Sequence, residues 1–334
     1  MRPTRASIPA VATGALLALL LPTGQAGAAT PRPDRPAPTA ATSLGTFWTA
    51  ARMRSATPLD RPTRTAKAPH RTAVPRSTPE IVLPTLPRLP RLQLPQLPSL
   101  PPLPPLLPGV ETGGPWTARG AVTHTTGRVF FTYQGRPASC SGDAVTSADK
   151  STVLTAGHCV KLTGSWHTHW VFVPGYHDGR APYGKWSATK TLATPQWAAR
   201  EDLDYDVGAA VVAPLGGRRL TDTVGGQGLS FNSGYQKQMY AFGYPAAAPY
   251  DGSKLVYCSG TTLRDPLLST DHGLPCNMTG GSSGGPWFTS FNPRTGTGLQ
   301  SSVNSFGYQF LPNTMFGPYF GADAKNLYDK AQHS

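Results

Sequence analysis

After its first 28 residues, the sequence has no apolar run long enough to cross a membrane as a helix. The first 28 residues differ: Arg2 and Arg5 precede the apolar stretch IPAVATGALLALLLP, and AGA follows at residues 26–28. A basic start, a short apolar stretch and small residues at a cleavage site are typical of a secretory signal peptide. We therefore expect residues 1–28 to be a signal peptide. The mature protein is expected to be secreted, without stable membrane insertion.

Acidic residues are scarce, with 17 Asp and Glu against 30 Lys and Arg and a net charge of +13. Most of this positive excess falls in residues 29–110, which are rich in proline and include LPTLPRLPRLQLPQLPSLPPLPPLLPG. Proline removes backbone donors and favours the extended polyproline conformation, so we expect no helix, central strand or packed domain there. We interpret residues 29–110 as a disordered Pro/Arg-rich propeptide or linker that can contact the cell envelope.

Residues 111–334 lack sustained helical periodicity until the final stretch GADAKNLYDKAQ. Short β-branched and aromatic runs such as GRVFFTYQG, HWVFVPG and DVGAAVVAP alternate with glycine, proline and other turn residues. This pattern predicts one all-β domain over residues 111–334, built as a sandwich or as barrels, with a C-terminal helix. The domain has no basic helix or aromatic-basic repeat, which argues against a nucleic-acid partner.

Cysteine is also rare, since the chain has four and none precedes residue 140. An even number of cysteines in an exported chain predicts two disulfides, although three pairings are open. Local pairing would close two loops of similar size. It joins Cys140 to Cys159 and Cys258 to Cys276.

The stretch GLPCNMTGGSSGGPWF, residues 273–288, places its glycines directly beside bulky residues, which indicates a sharply folded backbone and not a flexible linker. A serine becomes a nucleophile when a histidine, oriented by a carboxylate, takes its proton. His158 directly follows the strand-like STVLTAG, and Asp206 directly precedes the strand-like VGAAVVAP. Together with Ser283, these residues are candidates for nucleophilic catalysis.

The segment GSSGG also fits the G-x-S-x-G nucleophile elbow of α/β-hydrolases. That fold needs its histidine after the serine, where the chain offers only His333, and it needs helices that alternate with strands. The order of the residues and the all-β pattern therefore exclude this interpretation.

The segments TAGHC, YDVGAAVV and GGSSGGP place His158, Asp206 and Ser283 in an order and spacing that resemble the trypsin/chymotrypsin-like serine peptidases. The resemblance covers about residues 115–325. CSGDAV ahead of VLTAGHC resembles the strand pair around the histidine disulfide of that family, which supports the pairing of Cys140 with Cys159. GYPAAAPYDG, TGGSSGGP and VNSFGY resemble the secreted bacterial branch that includes the V8-like glutamyl endopeptidases.

The resemblance implies two antiparallel β-barrels, as in chymotrypsin, and hydrolysis of peptide bonds in a protein or peptide substrate. The reaction would pass through an acyl-enzyme at Ser283 and need no cofactor. His158 would act as general base and acid, and Asp206 would orient it. The backbone N–H groups of Gly281 and Ser283 would form the oxyanion hole. We expect a monomer.

Three features depart from the family pattern. Trypsin-like zymogens carry an aspartate directly before the nucleophile, where it receives a new N-terminal amine, but this sequence has Ser282. At the pocket base stands Asn277 in place of the aspartate of trypsins, and VNSFGY lacks the histidine of the glutamyl branch. We therefore expect an uncharged substrate pocket. Its expected residues are Asn277, Met278, Asn304, Ser305, Phe306 and Gly307.

Two other hypotheses are weaker. His167 and His169 of WHTHW, with His177 nearby, offer imidazoles for a metal, but no further cysteine or carboxylate stands at ligand spacing, so we expect no metal site. Alternatively, the protein is a catalytically inactive exported binding or scaffold protein on the same fold. The complete set of candidate catalytic residues favours the enzyme.

Overall fold

The computed structural model describes residues 40–59, 62–64, 78–87, 109–266 and 269–334. The expected signal peptide, residues 1–28, and the proline-rich residues 88–108 lie outside the described residues. None of the described helices is long and apolar enough to span a membrane.

The described residues form many short strands and few helices. The strands are β1 (Thr57–Pro58), β2 (Thr63–Arg64), β3 (Glu80–Val82), β4 (Glu111–Pro115), β5 (Thr126–Tyr133), β6 (Arg136–Ala144), β7 (Thr152–Thr155), β8 (Lys161–Leu162), β9 (Ser165–Trp166), β10 (Thr168–Pro174), β11 (Trp186–Ala193), β12 (Gly208–Val212), β13 (Gly228–Phe231), β14 (Gln238–Gly243), β15 (Val256–Thr261), β16 (Leu263–Arg264), β17 (His272–Pro275), β18 (Pro286–Asn292), β19 (Thr297–Val303), β20 (Phe306–Tyr308) and β21 (Leu311–Gly317). The helices are α1 (Ala40–Phe47), α2 (Ala50–Arg54), α3 (Val122–Thr125), α4 (Pro195–Arg200), α5 (Leu220–Val224) and α6 (Ala322–Gln332), with 3-10 turns at Gly157–Cys159 and Leu203–Tyr205.

Six strands close into an antiparallel barrel in the first half of the domain. Their order is β6, β5, β10, β11, β12 and β7, and β7 pairs back onto β6. Apolar side chains such as Val129, Phe131 and Phe172 fill its core and are fully buried. Because Thr155 at the end of β7 pairs with Gly208 at the start of β12, the turn after β7 and the turn before β12 meet at one end of the barrel.

The second half consists of two sheets. One has the order β3, β13, β19, β18, β14, β15 and β4, and the other has the order β16, β17, β21, β20 and β2. Pro286 at the start of β18 pairs with Val303 at the end of β19. The segment before β18 and the segment after β19 therefore emerge side by side.

The C-terminal helix α6 packs on the first barrel. Its apolar face, with Leu327, Tyr328 and Ala331, is buried in the same cluster as the barrel core. The predicted all-β class with a C-terminal helix is confirmed.

The expectation that residues 29–110 are disordered and free of helices and strands is wrong for part of that range. Residues 39–57 contain no proline, so backbone donors are available, and α1 and α2 form there. Thr49 caps α2 by accepting a hydrogen bond from Arg52 N. Trp48 and Met53 are buried against the first barrel beside Phe130. The average proline content of the region concealed this folded portion.

Three short strands of the same region also pair with the domain. β1 lies parallel to β6, β2 lies parallel to β20, and β3 lies antiparallel to β13. Backbone N–H and C=O groups of this region therefore form hydrogen bonds in the sheets of both halves, contrary to the expectation for a proline-rich segment.

The structure contains two disulfides, and they join the local pairs expected from the sequence. Cys140 on β6 is bonded to Cys159 in the 3-10 turn after β7. Cys258 on β15 is bonded to Cys276 just after β17. The first bridge ties the turn that carries His158 to a barrel strand.

Candidate active site

His158 and Asp206 are brought together by the pairing of β7 with β12. His158 Nδ1 lies 2.7 Å from Asp206 Oδ2, and the backbone N–H of His158 donates to Asp206 Oδ1 at 2.8 Å. Both residues are fully buried. A carboxylate can only accept from the ring, so Nδ1 carries the proton and Nε2 keeps its lone pair. This is the tautomer that a general base needs.

Ser305 completes the surroundings of the carboxylate. Its hydroxyl donates to Asp206 Oδ2 at 2.5 Å, and its side chain is fully buried. The sequence placed Ser305 in the substrate pocket. The structure instead places it behind the histidine–aspartate pair, where it fixes the carboxylate from the second half of the domain.

Ser283 lies in the tight segment before β18. Its carbonyl oxygen accepts a hydrogen bond of 2.7 Å from the backbone N–H of Ser141 on β6. The following residue, Gly284, has a φ of +79°, and a Cβ there would come within 2.0 Å of Thr155 Oγ1. Only glycine fits this approach. The serine segment is thus pressed against the end of β7, three residues before His158.

His158 Nε2 and Ser283 Oγ are both buried, and neither has a hydrogen-bond partner among the described residues. A direct hydrogen bond between them is therefore not formed in this structure. Unpaired buried polar atoms are rare and call for a functional explanation. In the candidate site these two atoms are the ones between which a proton would move.

Gly281, the expected oxyanion-hole donor, lies two residues before Ser283. Its φ is +91°, a region that favours glycine, and its carbonyl accepts from Ser141 Oγ at 2.9 Å. Its N–H donates to the carbonyl oxygen of Leu59 at 3.1 Å. The Ser282 hydroxyl donates to Thr279 O at 2.7 Å, so this side chain stabilises the local turn.

Three ring N–H groups hold the turn that carries His158. Imidazole Nε2 of His167 lies 2.9 Å from His158 O, the indole of Trp170 donates to Cys159 O, and the indole of Trp197 donates to Lys161 O. The sequence offered WHTHW only as a metal hypothesis or as packing, so this role was missed. The available sequence signal was the presence of a histidine and two tryptophans after TAGHC.

His167 is stacked on Phe131 with ring centroids 4.3 Å apart. Burial lowers the pKa of His167 to about 4, so its ring is neutral near pH 7 and can donate from Nε2. His169 instead stacks on Phe47. The two imidazoles thus make separate contacts.

The expected pocket residues divide into two groups. Asn277 and Gly307 line a cavity of about 580 Å³ beside the serine segment, together with Thr279 and Gly280. Asn277 is exposed, and its Oδ1 accepts from Tyr250 Oη. These uncharged groups agree with the expected character of the pocket.

The other expected pocket residues are buried and make contacts inside the domain. Met278 lies in a core cluster with the Cys258–Cys276 disulfide, and Phe306 stacks on Phe316. Asn304 was expected on the pocket wall because it lies within VNSFGY, the segment that resembles the pocket wall of the family. Its amide instead donates to Phe242 O and Ser282 O and accepts from the indole of Trp287. Asn304 therefore supports the serine segment from inside.

Comparison with solved structures places this architecture among known proteins. The chain is similar to the protease Anisep from Arthrobacter nicotinovorans, with 44% identity, a TM-score of 0.62, and coverage of 67% of this chain and 100% of that chain. It is also similar to the thermostable serine protease AL20 from an extremophilic microorganism, with 42% identity, a TM-score of 0.61, and coverage of 64% and 99%. No family model and no curated protein matches the chain.

The class of protein is therefore a serine protease of chymotrypsin-like fold. The chain belongs to the family of serine proteases that Anisep and AL20 represent. A Glu endopeptidase structure, at 18% identity, a TM-score of 0.54, and coverage of 69% and 100%, shares the fold. At that identity the narrower V8-like branch stays a prediction.

Proposed function

We propose that the protein is a secreted serine endopeptidase that hydrolyses peptide bonds through an acyl-enzyme at Ser283. The observation that carries the proposal is the buried His158–Asp206 pair at 2.7 Å, whose Nε2, like Ser283 Oγ, has no hydrogen-bond partner among the described residues. The two relatives above 40% identity, a protease and a serine protease, support the same reaction class.

In the proposed mechanism, His158 Nε2 takes the proton of Ser283 Oγ as the oxygen attacks the scissile carbonyl. Asp206, held by Ser305, stabilises the imidazolium that forms. The N–H groups of Gly281 and Ser283 would receive the developing oxyanion. His158 then gives its proton to the leaving amine, and a water deprotonated by the same imidazole hydrolyses the acyl-enzyme.

The substrate is proposed to be a protein or peptide whose side chain enters the cavity lined by Asn277 and Gly307. No acidic or basic side chain lines this cavity among the described residues. We therefore expect cleavage after uncharged residues and weak acceptance of Lys, Arg, Asp or Glu. Two disulfides support the proposal that the domain works outside the cell.

Maturation is proposed to remove residues 29–110 after the signal peptide has been cleaved. β4 begins at Glu111 and pairs with β15 in the second half of the domain. A cut beyond residue 115 would delete this strand. We propose a mature start between about Gly109 and Gly120, and the pairing of β4 favours the beginning of this range.

The function is tested by labelling with a fluorophosphonate, which reacts only with an activated serine. Ser283→Ala should abolish labelling and peptide hydrolysis. Ser282→Ala is the matched control, because its hydroxyl binds Thr279 O, and it should keep labelling. A mature protein that is not labelled, although folded and disulfide-bonded, would support the inactive scaffold instead.

A further inference from the structure

The described residues of the N-terminal region include a segment that crosses the candidate site. We name its residues 57–59 and 62–64 the cleft segment. Its strand β1 pairs with β6 of the first barrel, and its strand β2 pairs with β20 of the second half. The cleft segment therefore connects the two walls between which the candidate catalytic residues lie.

Leu59 makes the central contacts of the cleft segment. Its N–H donates to Ser139 O on β6 at 2.9 Å, and its carbonyl oxygen accepts from Gly281 N at 3.1 Å. Gly281 N–H is one of the two donors proposed for the oxyanion of a substrate. While Leu59 holds this donor, an incoming substrate carbonyl cannot be stabilised by it.

The side chain of Leu59 lies on the wall opposite the pocket. It is 8% exposed and belongs to the core cluster of the first barrel, close to Leu162. Among the described residues of the cleft segment, Pro62 is the one that lines the cavity with Asn277, and its carbonyl accepts from Gly307 N at 3.3 Å. A residue ready for cleavage would place its carbonyl at Gly281 and its side chain in that cavity. Leu59 satisfies the first condition and fails the second.

The helices ahead of the cleft segment anchor it to the first barrel. Trp48 is fully buried, and its indole donates to His169 O at 2.7 Å. Lys185 Nζ donates to the carbonyl oxygen of Trp48 at 2.9 Å. Because the anchor is on the same chain, the cleft segment is held at a high effective concentration, and few contacts suffice to keep it in place.

We propose that residues 57–59 and 62–64 act together as an intramolecular inhibitor, which occupies the oxyanion donor and the pocket entrance in a register that does not lead to cleavage. This inference rests on the proposed peptidase function of the same site. It assigns a specific role to the region that maturation is proposed to remove: the zymogen is inactive because its cleft is filled, with no need for the missing aspartate at position 282.

The test compares Leu59→Ala with Leu83→Ala in the full chain. Both shorten a leucine of the N-terminal region, but Leu59 is buried in the cleft and Leu83 is 72% exposed on the second half. We expect Leu59→Ala to raise the rate of fluorophosphonate labelling at Ser283 by about tenfold or more. The substitution removes buried contacts that hold the cleft segment in place, so the site is open for a larger fraction of the time. Leu83→Ala should label at the wild-type rate. Trp48→Ala, which removes the anchor, should act like Leu59→Ala.

A second measurement follows the cleft segment without relying on catalysis. In a Ser283→Ala background, hydrogen–deuterium exchange of peptides that contain Gly281 and Gly307 should be slow, and Leu59→Ala should accelerate it. Fast exchange with the wild-type cleft segment, and equal labelling of wild type and Leu59→Ala, would overturn the inhibitor while leaving the peptidase intact. Slow exchange without labelling of any variant or of the mature domain would overturn the peptidase, and the inhibitory role with it.

Discussion

The side-chain amide of Asn304 donates a 2.9 Å hydrogen bond to the carbonyl oxygen of Ser282, the residue directly before the proposed nucleophile. The same amide group also donates to Phe242 O, and its oxygen accepts from the indole of Trp287. One buried side chain thus joins the serine segment to two strands of the second half. Its removal would leave several buried polar groups without partners.

We expect Asn304→Ala to destabilise the protein by about 2–4 kcal/mol, because unpaired buried groups each cost about 1–3 kcal/mol. Labelling of Ser283 should also slow, since the segment loses its support. Asn326→Ala on the exposed face of α6 is the control and should leave both unchanged. Denaturant unfolding measures the stability. An unaltered unfolding midpoint for Asn304→Ala would contradict the bracing role.

Ser305→Ala should lower kcat/KM about tenfold, because a hydrogen bond to a charged group is worth about 1.5–3 kcal/mol. The carboxylate of Asp206 would keep its bonds from His158 but lose the one from the second half of the domain. Ser301→Ala is the matched control, since Ser301 is buried on β19 and its hydroxyl donates to Met239 Sδ, away from Asp206. Steady-state kinetics on a peptide substrate give the comparison. Equal losses in both variants would point to a general packing effect.

Gly281→Ala should reduce kcat about 100-fold, as expected for the loss of one oxyanion donor. An alanine would be strained at φ +91°, and its Cβ would lie 3.0 Å from Tyr244 O. Gly216→Ala controls for strain alone, because Gly216 has a φ of +58° with open space around it. It should lose some stability and keep kcat. Single-turnover hydrolysis by the mature domain separates the two effects.

The pKa of His167 predicts a loss of stability in acid. Burial lowers this pKa to about 4, whereas an unfolded histidine titrates near 6.5. As the pH falls from 6.5 to 4, His167 binds a proton in the unfolded state but stays neutral in the folded state. The free energy of unfolding therefore falls by about 3 kcal/mol. His167→Phe should reduce this slope but not remove it, because burial lowers the pKa of His272 to about 4 as well. His177→Gln, at an exposed histidine, should leave the slope as it is in unfolding curves at several pH values.

Asp143 predicts the opposite trend at higher pH. Burial raises the pKa of Asp143 to about 8, against the stabilising hydrogen bond from Thr126. The folded state therefore keeps its proton between pH 4 and 8 while the unfolded state loses it, and stability falls as the pH rises through this range. Asp143→Asn should flatten the decline and stabilise the protein at pH 8. Asp178→Asn, at an exposed loop position, should do neither.

The parts of the site that lie within short motifs could be predicted from the sequence. TAGHC places His158 just after β7 and YDVGAAVV places Asp206 just before β12, and the antiparallel pairing of these strands is enough to bring the two residues together. Ser305 contacts Asp206 across 99 positions of sequence, and this contact depends on how the two halves pack. A local sequence pattern cannot predict such a contact.

Asn304 and His167 show the same limit. Both lie in recognisable motifs, yet their hydrogen-bond partners depend on strand register. Asn304 donates to Phe242 O, which is 62 residues away in sequence. The prediction of disorder for residues 29–110 was wrong for another reason. The high average proline content of this range concealed the proline-free residues 39–57. Composition is informative over a uniform stretch and misleading over a mixed one.

Removal of β3 would change one sheet edge of the mature domain. This strand covers the outer edge of β13, where Glu80, Ile81 and Val82 pair with Phe231, Ser230 and Leu229. If maturation removes residues 29–110, the edge of a seven-stranded sheet loses its last strand, and backbone groups that were paired during folding face solvent. An open edge of this kind is a template for another extended chain. Release of the N-terminal region would then expose β13 on the mature domain as an unpaired sheet edge to which another extended chain can bind.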